Sequence, residues 1–137
     1  MEKSNFSIIL DTNWYISYLI KKSDSRLSII LNDEQIRLIV SDKLIKELRN
    51  KIHSKKFRKY FTTTEAEKFI ESLKEVSVTC NPSISIKICR DPKDNYLLAL
   101  AKDSKADFLI SGDKDLLVLN NLETTKIVTL NQFLNIQ

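Results

Sequence analysis

The sequence predicts a single α/β domain with a central, mainly parallel sheet, and three observations lead to this prediction. Short, mostly apolar runs at 7–10, 36–40 and 108–110 are typical of strands that are buried on both faces. Stretches with apolar residues three and four positions apart separate these runs, as in helices that pack onto a sheet. The chain has 137 residues, 42% of them apolar, which suits one hydrophobic core. We therefore expect residues 1–137 to form one domain.

The first part of the chain alternates between strand and helix. The strand at 7–10 precedes a helix whose apolar positions fall within 14–19. Residues 26–32 predict a second, short helix, and 36–40 predict the next strand. This alternation is typical of parallel strands joined by helical crossovers.

Two helices follow the strand at 36–40. Ser41 or Asp42 is expected to cap the first, whose apolar stripe lies within 44–52. Thr64 and Glu67 have the spacing of a capping box, so we expect the second helix to begin there.

The middle of the chain predicts a pair of strands. Apolar and polar residues alternate over 76–80 and again over 84–88, on either side of a turn at Pro82. We expect these segments to form an antiparallel pair or an edge pair.

The last part of the chain returns to helix and strand. Asp91 is expected as the N-cap and Pro92 as the first residue of a helix that continues over 96–101. The strand at 108–110 follows it, and 127–129 predict a last strand. A short helix around Phe133 and Leu134 should end the chain.

Composition and charge narrow the class of protein. The formal net charge of +4 allows a polyanionic partner without demanding one. Cys80 and Cys89 flank a turn and match no metal-binding spacing, so reduced thiols in the cytosol are expected. Residues 1–5 lack the pattern of a signal peptide, and no apolar run approaches the roughly 18 residues of a membrane span. We expect a soluble, cytoplasmic protein that does not bind membranes.

Two acidic residues come just after predicted strands. Asp11 follows the first strand directly, and Asp113 follows the strand at 108–110 after Ser111 and Gly112. Gly112 is the only glycine of the chain, and glycine permits a tight turn or a close approach of the backbone to a ligand. Ligands of open α/β sheets bind beyond the carboxyl ends of the strands, which is where these acids should lie.

Helices are expected to bring two further acids to the same edge. Glu47 borders the apolar stripe of the helix at 44–52, about a turn and a half from its start. Asp94 lies in the first turn of the helix that Asp91 begins, where the helix dipole favours a negative charge. The sequence therefore predicts that four carboxylates converge at one edge of the sheet.

Each acid also has an ordinary structural explanation. These are a helix cap for Asp11, a first-turn acid for Asp94, an ion pair with Lys43 or Lys51 for Glu47, and turn residues for Asp113 and Asp115.

Four converging carboxylates would repel one another strongly. Each pair about 6 Å apart costs roughly 3 kcal/mol at an effective dielectric constant near 20, so the sum rivals the roughly 5–15 kcal/mol stability of a small domain. Protonation of some acids or a bound cation would relieve this repulsion. An all-oxygen ligand set favours Mg²⁺ or Mn²⁺. Zinc is disfavoured because His53, the only histidine, lies in a basic stretch.

That basic stretch predicts a surface for single-stranded RNA, through phosphate contacts and stacking on Phe57, Tyr60 and Phe61. The alternative is a solvated helix face with its own core aromatics. The basic residues are Lys46, Arg49, Lys51, Lys55, Lys56, Arg58 and Lys59.

The chain resembles the PIN domain family, and in particular the PIN-type toxins of prokaryotic toxin–antitoxin systems. The resemblance rests on residues 8–13 (IILDTN), Glu47, residues 89–95 (CRDPKDN) and residues 109–117 (LISGDKDLL), which recur in order and spacing over essentially the whole chain. One departure is Lys93, at a position where many relatives carry another acid.

The resemblance implies a three-layer α/β/α fold and a metal-dependent endoribonuclease that uses Mg²⁺ or Mn²⁺. It assigns catalysis and metal binding to Asp11, Glu47, Asp94 and Asp113, with Asp115 as a further metal ligand. It also implies an antitoxin protein as partner, beside the RNA substrate, and leaves a homodimer open. The supporting positions are Thr12, Asn13, Ser111 and Gly112.

Two other functions remain open at this point. A PIN-like domain that binds RNA or a protein without cutting would carry the same residues. A receiver-like domain, in which an aspartate after a strand accepts a phosphoryl group, would leave Glu47 and Asp94 without a role.

Overall fold

The computed structural model describes residues 6–21, 25–83 and 94–136, which form seven α-helices and six strands. The predicted α/β fold with a central, mainly parallel sheet is confirmed, and with it the three-layer arrangement. A single 3₁₀ turn, Lys55–Phe57, follows α3. The elements in chain order are β1 (Phe6–Leu10), α1 (Thr12–Ile20), α2 (Ser25–Asn32), β2 (Ile36–Val40), α3 (Asp42–Ile52), α4 (Thr63–Val76), β3 (Val78–Thr79), α5 (Asn95–Ser104), β4 (Phe108–Ile110), α6 (Lys114–Leu117), β5 (Asn121–Leu122), β6 (Thr125–Val128) and α7 (Leu130–Ile136).

The order of the strands places a crevice in the middle of the sheet. The order is β3-β2-β1-β4-β6-β5, with parallel pairing throughout except between β5 and β6. From β1 the chain moves outward through β2 to β3, and it then returns to place β4 on the other side of β1. The direction of winding therefore reverses between β1 and β4, and such switch points are where open α/β sheets bind ligands.

The core is built on the two strands beside this switch point. Ile8, Ile9 and Leu10 of β1 are wholly buried, as expected for a central parallel strand. On one face, Phe133 of α7 meets Phe108 of β4 edge to face, with 5.1 Å between the ring centres. α3 packs against α1, α4 and α5, so its position is fixed by three other helices.

The capping box at the start of α4 lies two residues earlier than predicted, so the assignment to Thr64 and Glu67 is wrong. The Thr62 side chain accepts from the Glu65 backbone N–H, and the Glu65 side chain accepts from the Thr62 N–H, both at 3.1 Å. Burial of Phe61 just before the cap explains the shift, because it fixes where the chain enters the helix.

The predicted strand at 76–80 is shorter in the structure, because Val76 belongs to α4 and only Val78–Thr79 form β3. β3 lies parallel to β2, since α3 and α4 carry the chain back across the sheet and a helical crossover joins parallel strands. The expected pairing of 76–80 with 84–88 stays a prediction. The predicted strand at 84–88, together with Asp91 and Pro92, lies outside the described residues.

Two more differences concern the second half of the chain. Asp94 occupies the N-cap position of α5, not its first turn as expected. The last predicted strand, 127–129, is observed as β6, and β5 was not predicted at all; both are short. None of the described helices is long and apolar enough to cross a membrane.

Removal of the Thr62 hydroxyl should destabilise the domain more than removal of the Thr64 hydroxyl. We expect Thr62→Ala to lower the free energy of unfolding by about 1 kcal/mol, because one backbone N–H of α4 loses its cap. Thr64→Ala, an exposed change within the same helix, should alter it by less than about 0.5 kcal/mol. Urea unfolding of both variants provides the measurement, and equal losses would contradict the observed cap.

Candidate acidic site at the switch point

Backbone hydrogen bonds extend the sheet into the candidate site. The Asp11 N–H donates to the Ile110 carbonyl oxygen at 3.0 Å, so the residue after β1 is held against the end of β4. The Ser111 N–H donates to the Val128 carbonyl oxygen at 3.0 Å, which ties the residue after β4 to β6. Asp11 and Ser111 are therefore fixed side by side at the switch point, as the sequence predicts for the carboxyl ends of these strands.

The Asp11 carboxylate is buried, with 5% of the residue exposed, and hydroxyl groups are its partners. Its Oδ2 accepts from the Ser111 Oγ at 2.9 Å, and its Oδ1 lies 3.4 Å from the Thr12 Oγ1. Asp11 is the N-cap residue of α1, yet its side chain makes no capping hydrogen bond. The helix-cap explanation therefore fails for this carboxylate. No basic residue in the described part of the chain contacts it directly, and burial of such an acid calls for another source of compensation.

A short relay of hydrogen bonds orders the turn after β4. The Ser111 Oγ also accepts from the Asp113 N–H at 3.0 Å, and the Asp113 Oδ1 accepts from the Asp115 N–H at 2.9 Å. Asp113 thus caps α6, as the turn explanation expected, and both acids are partly buried. Capping uses one carboxylate oxygen of Asp113 and is compatible with a role in metal binding.

Gly112 is not required by the turn itself. Its φ angle is not positive, and a Cβ added there would meet no atom within 4 Å. Any L-residue can adopt this backbone conformation, so a tight turn does not account for the glycine. A close approach of a ligand to this exposed position stays a prediction.

Glu47 is held at the rim of the site by α3. The predicted Ser41 cap is present, since the Ser41 Oγ accepts from the Leu44 N–H at 3.0 Å and starts the helix at Asp42. Glu47 is half-buried and its Oε1 pairs with the Lys43 Nζ at 3.1 Å. The ion pair that the sequence allowed as an alternative is therefore formed, and a metal would have to compete with it.

Tyr96, in the first turn of α5, lies in the electrostatic field of three of the acids. Burial raises the pKa of the Tyr96 phenol well above its ordinary value, and the negative charges of Asp11, Glu47 and Asp94 raise it further. A hydrogen bond with the Thr12 side chain acts in the opposite direction. Tyr96 therefore remains a neutral hydroxyl among acids. Sequence reasoning missed it because an aromatic residue in an apolar helix face looks like core.

The acids are near one another but are not drawn together to metal-binding distance. Within residues 6–21, 25–83 and 94–136, no group of three or more acidic, histidine or cysteine side chains is close enough to hold a metal ion. The convergence predicted for the four carboxylates is thus only partial in this structure. Glu47 is drawn to Lys43 at 3.1 Å, and carboxylates without a cation between them repel one another.

The basic residues predicted to bind RNA divide into two groups. Arg49 and Arg58 are engaged by the protein: the Arg49 Nε lies 3.3 Å from both carboxylate oxygens of Glu67, and the Arg58 Nη2 lies 3.4 Å from the Ile52 carbonyl oxygen. The lysines are exposed, although the Lys51 Nζ also donates to the Thr12 Oγ1 at 2.8 Å. They are Lys46, Lys51, Lys55, Lys56 and Lys59.

The aromatic residues of the same stretch divide in the same way. Phe61 is buried in the core. Phe57 is half-buried; it stacks with Phe61 at 5.9 Å between ring centres, and the Lys56 Nζ lies 5.1 Å from its ring centre. Tyr60 is 45% exposed, and the Lys59 Nζ lies 5.2 Å from its ring centre. The alternative of core aromatics therefore holds for Phe61 but not for Tyr60, and Phe57 is intermediate.

His53 is tied into α4 and has no geometry suited to zinc. Its Nε2 lies 2.6 Å from the Glu67 Oε2, and the pKa of Glu67 is lowered, first by this hydrogen bond and then by Arg49. These contacts fix the end of α3 against α4.

An apolar groove of about 470 Å³ lies apart from the acids. It is bounded by α1, α2 and α4 and includes Tyr18, Leu31, Phe69 and Val76, but none of the candidate site residues.

Comparison with known proteins gives two matches. A family model described as PIN domain matches residues 7–115. The uncharacterized protein MJ1680 of Methanocaldococcus jannaschii is 35% identical over 124 residues, which cover 88% of this chain and 79% of that protein. The matched region contains β1 through Asp115, and so the whole candidate site.

Loss of the Ser111 hydroxyl should destabilise the fold, whereas loss of another buried serine hydroxyl should not. We expect Ser111→Ala to lower the free energy of unfolding by about 2 kcal/mol, because Asp11 Oδ2 and the Asp113 N–H both lose a partner. Ser104→Ala removes a buried Oγ that has no hydrogen-bond partner in the described part of the chain, and should be neutral. Urea unfolding in EDTA checks both, and a neutral Ser111→Ala would show that Asp11 does not depend on this contact.

Proposed function

We propose that this chain, which belongs to the PIN domain family, is a metal-dependent endoribonuclease that hydrolyses phosphodiester bonds in RNA. PIN domains are generally nucleases, so the coarser assignment to a nuclease-like enzyme follows from the family. The observation that carries the finer proposal is the buried Asp11 carboxylate at the switch point, held by the Ser111 hydroxyl that also orders the turn carrying Asp113.

The acidic residues suit a hard divalent cation. Every candidate donor is a carboxylate oxygen, and Asp11 lacks a direct cationic contact among the described residues. Asp11, Glu47, Asp94 and Asp113 would hold Mg²⁺ or Mn²⁺, with Asp115 beside them. When bound, such an ion binds a phosphate oxygen, lowers the pKa of a bound water and stabilises the charge that develops during hydrolysis.

The remaining residues of the site position these acids. The Ser111 hydroxyl orients the Asp11 carboxylate and the turn that carries Asp113, because it contacts both. Thr12 is wholly buried and holds the other oxygen of Asp11. The phenol of Tyr96 stays protonated, so it offers a neutral O–H beside the acids where a phosphate oxygen would accept it. Asn13 is exposed at the start of α1, within reach of a bound substrate.

The exposed lysines after α3 suit the RNA backbone. Lys55, Lys56 and Lys59 extend from the turn that follows α3, and Tyr60 offers a ring face for a base to stack on. Lys46 lies on a different face of α3 and would add charge at longer range. This surface joins the helix that carries Glu47, which supports RNA as the polyanion that reaches the acids.

A PIN domain that binds RNA without cutting it stays the second candidate, because it would carry the same acidic residues. The receiver-like function loses support, because family membership points to a nuclease-like fold.

Cleavage should depend on a divalent cation and on the acids. We expect the protein to cleave single-stranded RNA with Mg²⁺ or Mn²⁺ but not with EDTA, and Asp11→Asn or Asp94→Asn to slow cleavage at least about a hundredfold. Asp103→Asn, an exposed change at the other end of α5 from Asp94, should cleave as the wild type does. The rate of product formation at saturating metal is the measurement.

Two results would contradict this assignment in different ways. Cleavage that persists unchanged in both acid variants would remove the site. Tight RNA binding by the wild type without cleavage under any metal would favour the non-cleaving domain instead.

We also propose that the protein acts as the toxin of a toxin–antitoxin system, with a separate antitoxin protein as partner. Induced expression of the wild type in a bacterial host should then stop growth, and Asp11→Asn at the same protein level should not, because the toxicity would arise from RNA cleavage. Growth curves with immunoblots provide the measurement. Equal growth arrest by both forms would disprove a nuclease toxin, and size-exclusion chromatography of the purified chain tests for a homodimer.

A further inference from the structure

Lys51 differs from the other lysines of α3 because its charge is directed into the acidic site. Its Nζ donates to the Thr12 Oγ1 at 2.8 Å, and this hydroxyl lies 3.4 Å from the Asp11 Oδ1. Thr12 can accept from the ammonium and donate to the carboxylate at the same time. An ammonium, a hydroxyl and a buried carboxylate therefore form one chain of hydrogen bonds, the Lys51–Thr12–Asp11 chain.

This contact is not the one that helix geometry alone would favour. Glu47 lies four residues before Lys51 on α3, the spacing and direction at which a glutamate and a lysine usually pair. Glu47 pairs instead with Lys43, at 3.1 Å, and Lys51 reaches across to α1. Lys51 is therefore linked through Thr12 to Asp11, and not to Glu47 on its own helix.

We propose that Lys51 is a positioning residue that supplies the counter-charge of Asp11 and competes with a divalent cation for the same site. A buried carboxylate without a cation nearby is costly, and an ammonium one hydroxyl away offsets part of that cost. A divalent cation on Asp11 would meet the same ammonium as a like charge. The competition with a cation depends on the proposed metal-dependent function, whereas the Lys51–Thr12–Asp11 chain is independent of it.

Two effects of opposite sign distinguish this role from a merely structural one. Without metal, loss of the Lys51 charge leaves Asp11 less well compensated, so the fold should become less stable. With metal, loss of the same charge removes a repulsion, so the cation should bind more tightly. Loss of a residue that only supported the fold would lower both the stability of the domain and its affinity for the metal.

The test compares Lys51→Gln with the wild-type chain by titration calorimetry with Mn²⁺ and by urea unfolding in EDTA. We expect the Kd for Mn²⁺ to fall about threefold to tenfold and the unfolding midpoint in EDTA to decrease. Lys51 is exposed and glutamine is a good helix former, so the variant should fold. Lys51→Arg keeps the charge and should stay within about twofold of the wild-type Kd.

Lys102→Gln is the matched control for net charge. Lys102 is exposed in the last turn of α5, which leads to the amino end of β4 and so to the opposite edge of the sheet from Asp11. Its Nζ pairs with the Glu123 Oε1 at 3.7 Å. Neither Mn²⁺ affinity nor the unfolding midpoint should change by as much as in Lys51→Gln.

The outcomes separate this inference from the proposed function. A Kd for Mn²⁺ in Lys51→Gln that equals the Lys102→Gln value, or that rises while stability falls, overturns the role of Lys51 even if the wild type cleaves RNA. If neither the wild type nor Lys51→Gln binds Mn²⁺, the metal-dependent function and the competition fail together.

Discussion

The burial of one negative charge, that of Asp11, is the constraint on which the site depends. The reversal of winding between β1 and β4 leaves a crevice, and the first residue after β1 places a carboxylate at its base with 5% exposure. Two hydroxyl groups hold this carboxylate, from the residue after it and from the residue after β4. Hydroxyls orient a buried acid without neutralising it, so the negative charge of Asp11 remains for a cation to balance.

The same constraint explains why the acids stop short of a closed ligand set. Each further carboxylate near Asp11 raises the energy of the metal-free protein, and the fold limits this by pairing Glu47 with Lys43. Asp113 likewise spends one oxygen on the Asp115 backbone N–H. The Lys43–Glu47 ion pair is weak enough to be replaced by another partner, since exposed ion pairs contribute little to stability. A site of this kind is stable without a ligand, and little free energy would be lost when a ligand displaced the existing partner.

Sequence patterns specified the framework of the site but not its contacts. β1, β2 and β4 are predictable because buried parallel strands are continuous apolar runs, and the acids at their ends follow from topology. The start of α4 is not predictable in this way, because Thr62 with Glu65 has the same spacing as Thr64 with Glu67. The burial of Phe61, which the sequence does not show, separates the two possibilities. Tyr96 has no signal that separates it from a core residue. The direction of Lys51 depends on a contact between two helices, which no local pattern encodes.

The arginines near α3 contact the protein itself, whereas the neighbouring lysines stay available for a ligand. Arg49 and His53 share Glu67 of α4, and Arg58 meets the last turn of α3 at the Ile52 carbonyl. A guanidinium suits such contacts because it forms several directed hydrogen bonds at once, whereas an ammonium on a flexible stem suits a mobile polyanion. The arginines therefore fix the turn that carries Lys55, Lys56 and Lys59, and the lysines remain exposed. Because the same helix carries Glu47 and Lys51, a polyanion held by these lysines would be guided along α3 toward the carboxylate at the switch point.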